Sequence, residues 1–379
     1  MREIRFGIIG CGLMGREFAS AIARWCHLLE VDFRPVLTAV CDTNPALFGW
    51  YQQNFPTIKI ATKDYADLLK SPDVDAIYCA LPHNLHQKVY IDIVRAGKHL
   101  LGEKPFGIDL PAATAIVDEI QKHPKTFVRC SSEFPFAPGP QRVIKAIQEN
   151  RFGRIIEVNC GFMHSSDLNP EKAINWKRLI EMNGEYGCLG DLGMHALHVP
   201  LRAGWKPKRV FAHLNKIVTE RPDGKGGRVP CKTWDNGSLY VDTVNPFDGQ
   251  PFPMTYKIYR IAPGETDTWF IEVLGTKFSI RFSSRNMKGL QFMEYSGGAQ
   301  TWQEENLGYE TIYKTITGNI FEFGFSDMIL QMWAAFMDEL VHGKVPYGCV
   351  RPEEALDSHR LFTAALESQR TRQAVTCNP

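Results

Sequence analysis

The chain opens on a short apolar run, Arg5-Phe6-Gly7-Ile8-Ile9, that passes into closely spaced glycines and then into a helical pattern. Further apolar runs at 37–41, 76–81, 99–101 and 127–130 alternate with helical stretches near 84–96 and 111–122. Short buried strands separated by helices predict a parallel, doubly wound α/β sheet. That rhythm stops near residue 130. Beyond Gly153 the strands lengthen and alternate polar with apolar positions, as at 154–160 and 268–274, which predicts a largely antiparallel open sheet with one covered face, an α+β arrangement. The stretch 219–235 holds Pro222, Gly224, Gly226, Gly227 and Pro230 with little to bury, so an exposed loop is expected there. Two amphipathic patterns, 327–342 and 352–372, close the chain and are expected to pack back toward the first domain. The expected division is a domain over 1–130 and a second over 131–379.

Composition narrows the function classes. A chain of 379 residues exceeds one ordinary core, and 44% apolar residues can fill two. With 43 basic against 42 acidic side chains, a net of +1, nothing points to nucleic acid or another polyanion. No apolar run approaches the roughly 20 residues of a membrane span, and no targeting pattern precedes the first strand, so a cytoplasmic protein is expected. Ten cysteines occur without a C-x-x-C pair, and Cys41, Cys79 and Cys160 sit inside apolar strand patterns. They read as buried free thiols, with neither disulfides nor a metal site.

The glycines after the first strand form Gly10-Cys11-Gly12-Leu13-Met14-Gly15. In a strand–turn–helix setting Gly10 permits the tight turn, Gly12 removes a Cβ from the path of a pyrophosphate, and Gly15 lets the helix pack closely. Leu13 and Met14 then lie at the helix N-terminus beside the same anion. Asp42 ends the next apolar strand and would accept from a ribose diol. It lies 27 residues after Gly15, where about 20 is usual, so residues 28–35 are expected to form a longer helix end or loop. Asp42 would repel a 2′-phosphate and no Arg follows it directly, which favours NAD over NADP.

Two segments offer chemistry. Gly102-Glu103-Lys104-Pro105 follows a parallel strand, where ligands lie in open α/β sheets, and Lys104 is either a substrate contact or a solvated loop lysine. In Gly190-Asp191-Leu192-Gly193-Met194-His195 a helix would put Asp191 and His195 on one face. There the carboxylate can orient an imidazole and raise its basicity, or Asp191 can cap the helix above a core histidine.

Together, Gly10-x-Gly12-x-x-Gly15, Glu103-Lys104-Pro105 and Asp191-x-Gly193-x-His195 resemble the Gfo/Idh/MocA family of NAD(P)-dependent oxidoreductases over nearly the whole chain. The resemblance implies a Rossmann domain followed by a substrate-binding and oligomerisation domain, and oxidation of secondary hydroxyls of sugars, anhydrosugars, glycosides or cyclitols. It implies that Lys104 contacts the reacting oxygen, that Asp191 and His195 occupy the catalytic positions, and that Leu81, Pro82, His83, His86, Glu103 and Lys104 line the cofactor side. His83 stands where the family often has Asn, His198 where an acid commonly follows the catalytic histidine, and Glu133 near the site of a Tyr-Arg pair, which transfers a substrate contact to Glu133. Trp176-Lys177-Arg178 fits a polyol site in kind, an indole face with donors beside it, although Trp176 can equally anchor a core.

The expected function is therefore NAD-dependent hydride transfer, with His195 as base, Asp191 tuning it and Lys104 steadying the oxygen. The alternatives are a glycosidase that oxidises its sugar transiently through bound NAD, and a non-catalytic dinucleotide sensor. A homodimer or homotetramer through the open second sheet is expected, because too few helices follow to cover both of its faces.

Overall fold

In the computed structural model, which describes residues 1–308, 310–318, 320–321 and 323–377, the early apolar runs become β1 (Arg2–Ile9), β2 (Phe33–Cys41), β3 (Ile60–Thr62), β4 (Ala76–Cys79), β5 (His99–Gly102) and β6 (Val128–Cys130). Among the described residues these strands form one sheet, ordered β3-β2-β1-β4-β5-β6 with every pair parallel. Strand order reverses between β1 and β4, the switch point outside whose carboxyl ends such sheets bind ligands. β2 starts earlier than its apolar run suggested. Phe33 and Pro35 already pair with Arg2 and Ile4, and the buried Trp25 of the short turn Trp25–His27 donates its indole N–H to the Phe33 carbonyl at 2.9 Å. Of residues 28–35, where a longer helix end or loop was expected, 28–32 follow the 3₁₀ turn as a loop and 33–35 already belong to the nine-residue β2.

The chain divides into two compact units, the first comprising Met1–Gly107, Pro111–Phe136 and Tyr309–Glu353, the second Ile108–Leu110, Ala137–Gly308 and Glu354–Pro379. The core of the first unit is aromatic. Phe18 stacks on Tyr78 at 3.9 Å, and Trp333 meets Phe18 edge-on at 3.9 Å and Phe6 at 4.9 Å. Trp333 comes from the helix Phe325–His342, so a segment remote in sequence completes this core. The second closing helix, Pro352–Thr371, was expected there as well. From Glu354 onward it belongs instead to the second unit, where Ser368 and Gln369 accept from the backbone N–H groups of Ala212 and Leu214.

The second unit is built on β7 (Ile155–Met163), β8 (Arg209–Asn215), β9 (Glu220–Pro222), β10 (Arg228–Pro230), β11 (Asn236–Val244), β12 (Pro251–Tyr259), β13 (Thr268–Gly275), β14 (Phe278–Ser283), β15 (Gly289–Glu294), β16 (Gln303–Asn306) and β17 (Val375–Thr376). Among the described residues, nine of them form a sheet ordered β16-β15-β14-β13-β7-β12-β11-β8-β17. Only the β7–β12 pair is parallel. Burial alternates strictly along β8, as a sheet with one covered face requires. The helix Cys188–Arg202 packs on β7 and β12, and the paired residues Phe211 and Tyr240 are exposed.

The stretch 219–235 is not a free loop. β9 and β10 pair as a hairpin, and the guanidinium of the buried Arg221 donates to the carbonyls of Asp167, Asn169 and Lys172. Within it, residues 224–228 form the longest exposed run. No helix among the described residues is long and apolar enough to cross a membrane.

Candidate functional site

In the first unit the glycine turn is built as its spacing requires. Gly10 has φ +97°, and a Cβ there would lie 2.2 Å from the Ala80 carbonyl oxygen. A Cβ on Gly15 would lie 2.2 Å from the Gly10 oxygen, so the helix Leu13–Ala23 begins hard against the turn. Gly12 differs, because a Cβ there would meet nothing within 4 Å. It is the N-cap of that helix and supplies no side-chain cap, leaving the first-turn amides to an anion. Asp42 completes the cradle. Its Oδ2 accepts from the Cys11 N–H at 2.8 Å and its Oδ1 from the Asn44 N–H at 2.8 Å, so the carboxylate is fixed beside the turn with lone pairs remaining. Open space at Gly12, uncapped amides and a positioned acid fit a dinucleotide pyrophosphate and ribose. Leu13 is exposed and Met14 half-buried at the same helix end.

The Lys104 loop is braced from three strands and a helix. Glu103 is buried, and its Oε1 accepts from the Tyr78 hydroxyl at 2.6 Å and the Ser131 hydroxyl at 2.7 Å, while its carbonyl accepts from Tyr90 at 2.8 Å. The adjacent carboxylate and full burial, burial first, push the Tyr78 phenol far up. His86 is fully buried, with Nδ1 2.6 Å from the Pro105 carbonyl and Nε2 2.9 Å from the Leu81 carbonyl. Burial, the largest influence, pushes its imidazole pKa down against the pull of those carbonyls and Glu103. His86 and Glu103 were expected on the cofactor. Both are buried and tie together the loops after β4 and β5, beside Lys104, which is half-buried. His83 is also buried, its ring 5.6 Å from that of His86, while Leu81 and Pro82 are half-buried.

In the second unit Asp191 lies in the first turn of the helix Cys188–Arg202, with His195 one turn later and both buried. Gly187 starts this helix at φ +58°, where a Cβ would strike the Trp234 backbone at 2.4 Å. Gly193 lies between Asp191 and His195 for a packing reason: a Cβ there would be 2.5 Å from the Phe362 ring. The His195 ring sits edge-on to Phe162 at 5.3 Å, and its carbonyl accepts the indole N–H of Trp269 at 2.8 Å.

Asp191 meets cations not apparent from its motif. Arg260 Nη2 is 2.5 Å from its Oδ2 and Lys177 Nζ is 3.1 Å from its Oδ1. Arg260 also faces Asp167 at 3.7 Å, and Asp167 pairs with Arg178 and Lys172, each at 3.0 Å. Burial opposes ionisation of Asp167, but Arg178 and Arg260 outweigh it and hold its pKa below the usual carboxylate range. His164 beside them has Nδ1 placed to accept from the Ser166 N–H at 3.3 Å. Burial, then Arg260, lower its pKa to about 4.

Of the expected polyol contacts, Arg178 is the most enclosed. It is 0% exposed, with its guanidinium locked between Asp167 and Asp235. Trp176 is half-buried, and Lys177 reaches both its ring face, at 5.7 Å, and Asp191. Glu133 belongs to the first unit and is buried. His198 is also buried. Sequence reading missed Asp167, Asp235, Arg260 and His164. They come from separate loops and strand ends, and no local spacing joins them to Asp191. Among the described residues no His, Cys, Asp and Glu cluster could hold a metal.

The chain is similar to known proteins along both of its halves. The profile of an oxidoreductase family with an NAD-binding Rossmann fold matches residues 4–130, and that of the GFO/IDH/MocA C-terminal domain matches residues 141–281. A levoglucosan dehydrogenase from Pseudarthrobacter phenanthrenivorans is 24% identical over 324 residues, 83% of this chain and 80% of its own. Among solved structures, an oxidoreductase domain protein from Kribbella flavida superposes with a TM-score of 0.89 at 20% identity, covering all of both chains. A levoglucosan dehydrogenase in complex with NADH and L-sorbose does so with a TM-score of 0.88 at 21% identity, again over all of both chains.

Proposed function

The chain belongs to the Gfo/Idh/MocA family of oxidoreductases, with an NAD-binding Rossmann domain at its N-terminus, and on that premise we propose that it oxidises a secondary hydroxyl of a sugar, anhydrosugar, glycoside or cyclitol. The observation that carries this reading is the helix of the second unit on which a buried histidine follows a buried, cation-compensated carboxylate by one turn. A sensor of dinucleotide would need no such pair. The polyol class draws support from the levoglucosan dehydrogenase and from an inositol 2-dehydrogenase/D-chiro-inositol 3-dehydrogenase of Lactiplantibacillus plantarum, 23% identical over 47% of this chain and 48% of its own.

His195 takes the proton from the substrate hydroxyl, and Asp191 keeps the imidazole oriented and basic. Lys104 donates to the same oxygen and stabilises the charge that grows on it as the proton leaves. Bound NAD supplies the hydride acceptor. Gly12 and the helix amides behind it receive the pyrophosphate, Asp42 takes the ribose diol, and Lys177 and Trp176 offer a donor and a ring face to the polyol.

The test is His195→Ala. General base catalysis contributes about 10²- to 10⁴-fold, so turnover should fall by that order while the NADH dissociation constant stays within about twofold. Full turnover in the variant would remove His195 from the mechanism.

A further inference from the structure

We propose that Arg260 is a positioning residue for this reaction, fixing both the place and the charge of Asp191 and through it the basicity of His195. The inference rests on the assignment of Asp191 and His195 as the proton-transfer pair.

Asp191 is 1% exposed and Arg260 2%. A carboxylate so buried with no cation beside it would take up a proton, and a protonated Asp191 would no longer favour an imidazolium on its helix. Arg260 and Lys177 both touch it, but they are not equivalent. The Lys177 side chain is 37% exposed, so water screens its charge. Arg260 is enclosed, and an arginine does not lose its proton, so it acts on Asp191 at every working pH.

Arg260 is itself held at both ends. Its backbone N–H donates to the Asn236 Oδ1 at 3.1 Å, as does that of Ile261 at 3.0 Å, and the Asn236 amide donates to the Ile261 carbonyl at 2.8 Å. Behind its guanidinium the charges alternate in a row: Asp191, Arg260, Asp167, Arg178, Asp235. The row ends on Asp235, whose Oδ2 accepts from the backbone N–H groups of Ile217 and Val218. Five buried charges rarely add stability over apolar packing of the same volume. What this row does accomplish is to deliver one fixed positive charge to the carboxylate on the His195 helix.

The groups facing this pair come from several elements. Cys188 lies on the helix itself, His164 follows β7 directly, Asp167, Lys172, Lys177 and Arg178 lie on the segment after it, Asp235 precedes β11 and Arg260 follows β12. Burial pushes the Cys188 thiol up to about 12 and His164 down to about 4, so neither changes charge near neutrality.

The experiment is an NMR titration of full-length, NADH-bound protein carrying ¹³C-labelled histidine, with the His195 signal assigned by its loss in His195→Asn. Arg260→Gln leaves the buried Asp191 without its enclosed cation, so Asp191 takes up a proton and the His195 pKa should fall by about one pH unit. Arg260→Lys keeps the charge and should bring the value back to within about 0.3 unit of wild type. Asp191→Asn mimics the protonated carboxyl and should lower the His195 pKa in the same direction as Arg260→Gln. A purely structural Arg260 would lower the melting temperature without moving this titration. The proposal is overturned if folded Arg260→Gln titrates as wild type or higher, or, should that variant not fold, if folded Asp191→Asn leaves the His195 pKa unmoved or raised. Because the readout needs no turnover, its failure is separate from failure of the catalytic assignment, which His195→Ala tests.

Discussion

Substitution of Gly12 by Ala separates cofactor binding from folding. Gly12 has φ −72° and ψ −156°, ordinary extended backbone that alanine also adopts, and the new methyl would meet nothing within 4 Å. The unliganded protein should therefore change in stability by less than about 1 kcal/mol. With a dinucleotide bound, the methyl stands in the path of the pyrophosphate toward the first-turn amides. A hydrogen bond to a charged group contributes about 1.5–3 kcal/mol, and the helix N-terminus adds up to about 2 kcal/mol in a partly buried geometry. Losing about 2–3 kcal/mol of that interaction weakens NADH binding roughly 30- to 150-fold. Gly10→Ala supplies the contrast. Its φ of +97° and a Cβ 2.2 Å from the Ala80 oxygen place the cost in the fold itself, about 2 kcal/mol or more. NADH fluorescence titration and thermal unfolding of both variants give the answer. The reasoning is refuted if Gly12→Ala binds NADH within twofold of wild type, or if it loses as much stability as Gly10→Ala.

Three further outcomes are expected. Of ten free cysteines only Cys26 is exposed, and burial pushes Cys11 and Cys41 up to about 12, so a native-state thiol assay at pH 8 should register one fast thiol per chain; two or more would contradict the burial pattern. Arg178→Met should cost about 3–5 kcal/mol in denaturant unfolding, because Asp167 and Asp235 lose their shared buried cation; a raised KM with unchanged stability would instead make Arg178 a substrate contact. His164 has a folded pKa of about 4, below its ordinary 6.5. Its contribution to stability is complete above about pH 6.5 and is lost as pH falls toward about 4. The melting temperature should fall across that window, and His164→Gln should flatten the decline; an identical slope in the variant would show that another group is responsible.

What could be read from the sequence follows from the range of the interactions involved. The glycine turn, Asp42 and the parallel strands are local patterns, a few residues each, and they stand where their spacing predicts. Gly193 was visible as a motif glycine, but its reason, the Phe362 ring, comes from 169 residues away in sequence. The same distance hid the ion row. Arg178 read as a polyol donor because it follows Trp176, whereas its two aspartates lie eleven positions before it and 57 after. His86 and Glu103 read as cofactor residues because they sit in recognisable motifs. In the structure both are buried and bonded to neighbouring loops, partners that motif spacing does not reveal. The hairpin at 219–235 escaped notice because its strands are three residues each and its anchor is a single arginine.

The most direct test is to follow reduced-nicotinamide absorbance for the purified chain with NAD and a panel of inositols, free sugars, anhydrosugars and glycosides, with product analysis alongside. The account predicts NADH in equal amount to a keto product on at least one of these polyols, abolished by His195→Ala. Aglycone release without net NADH, or tight NADH binding with no reaction across the panel, would contradict it.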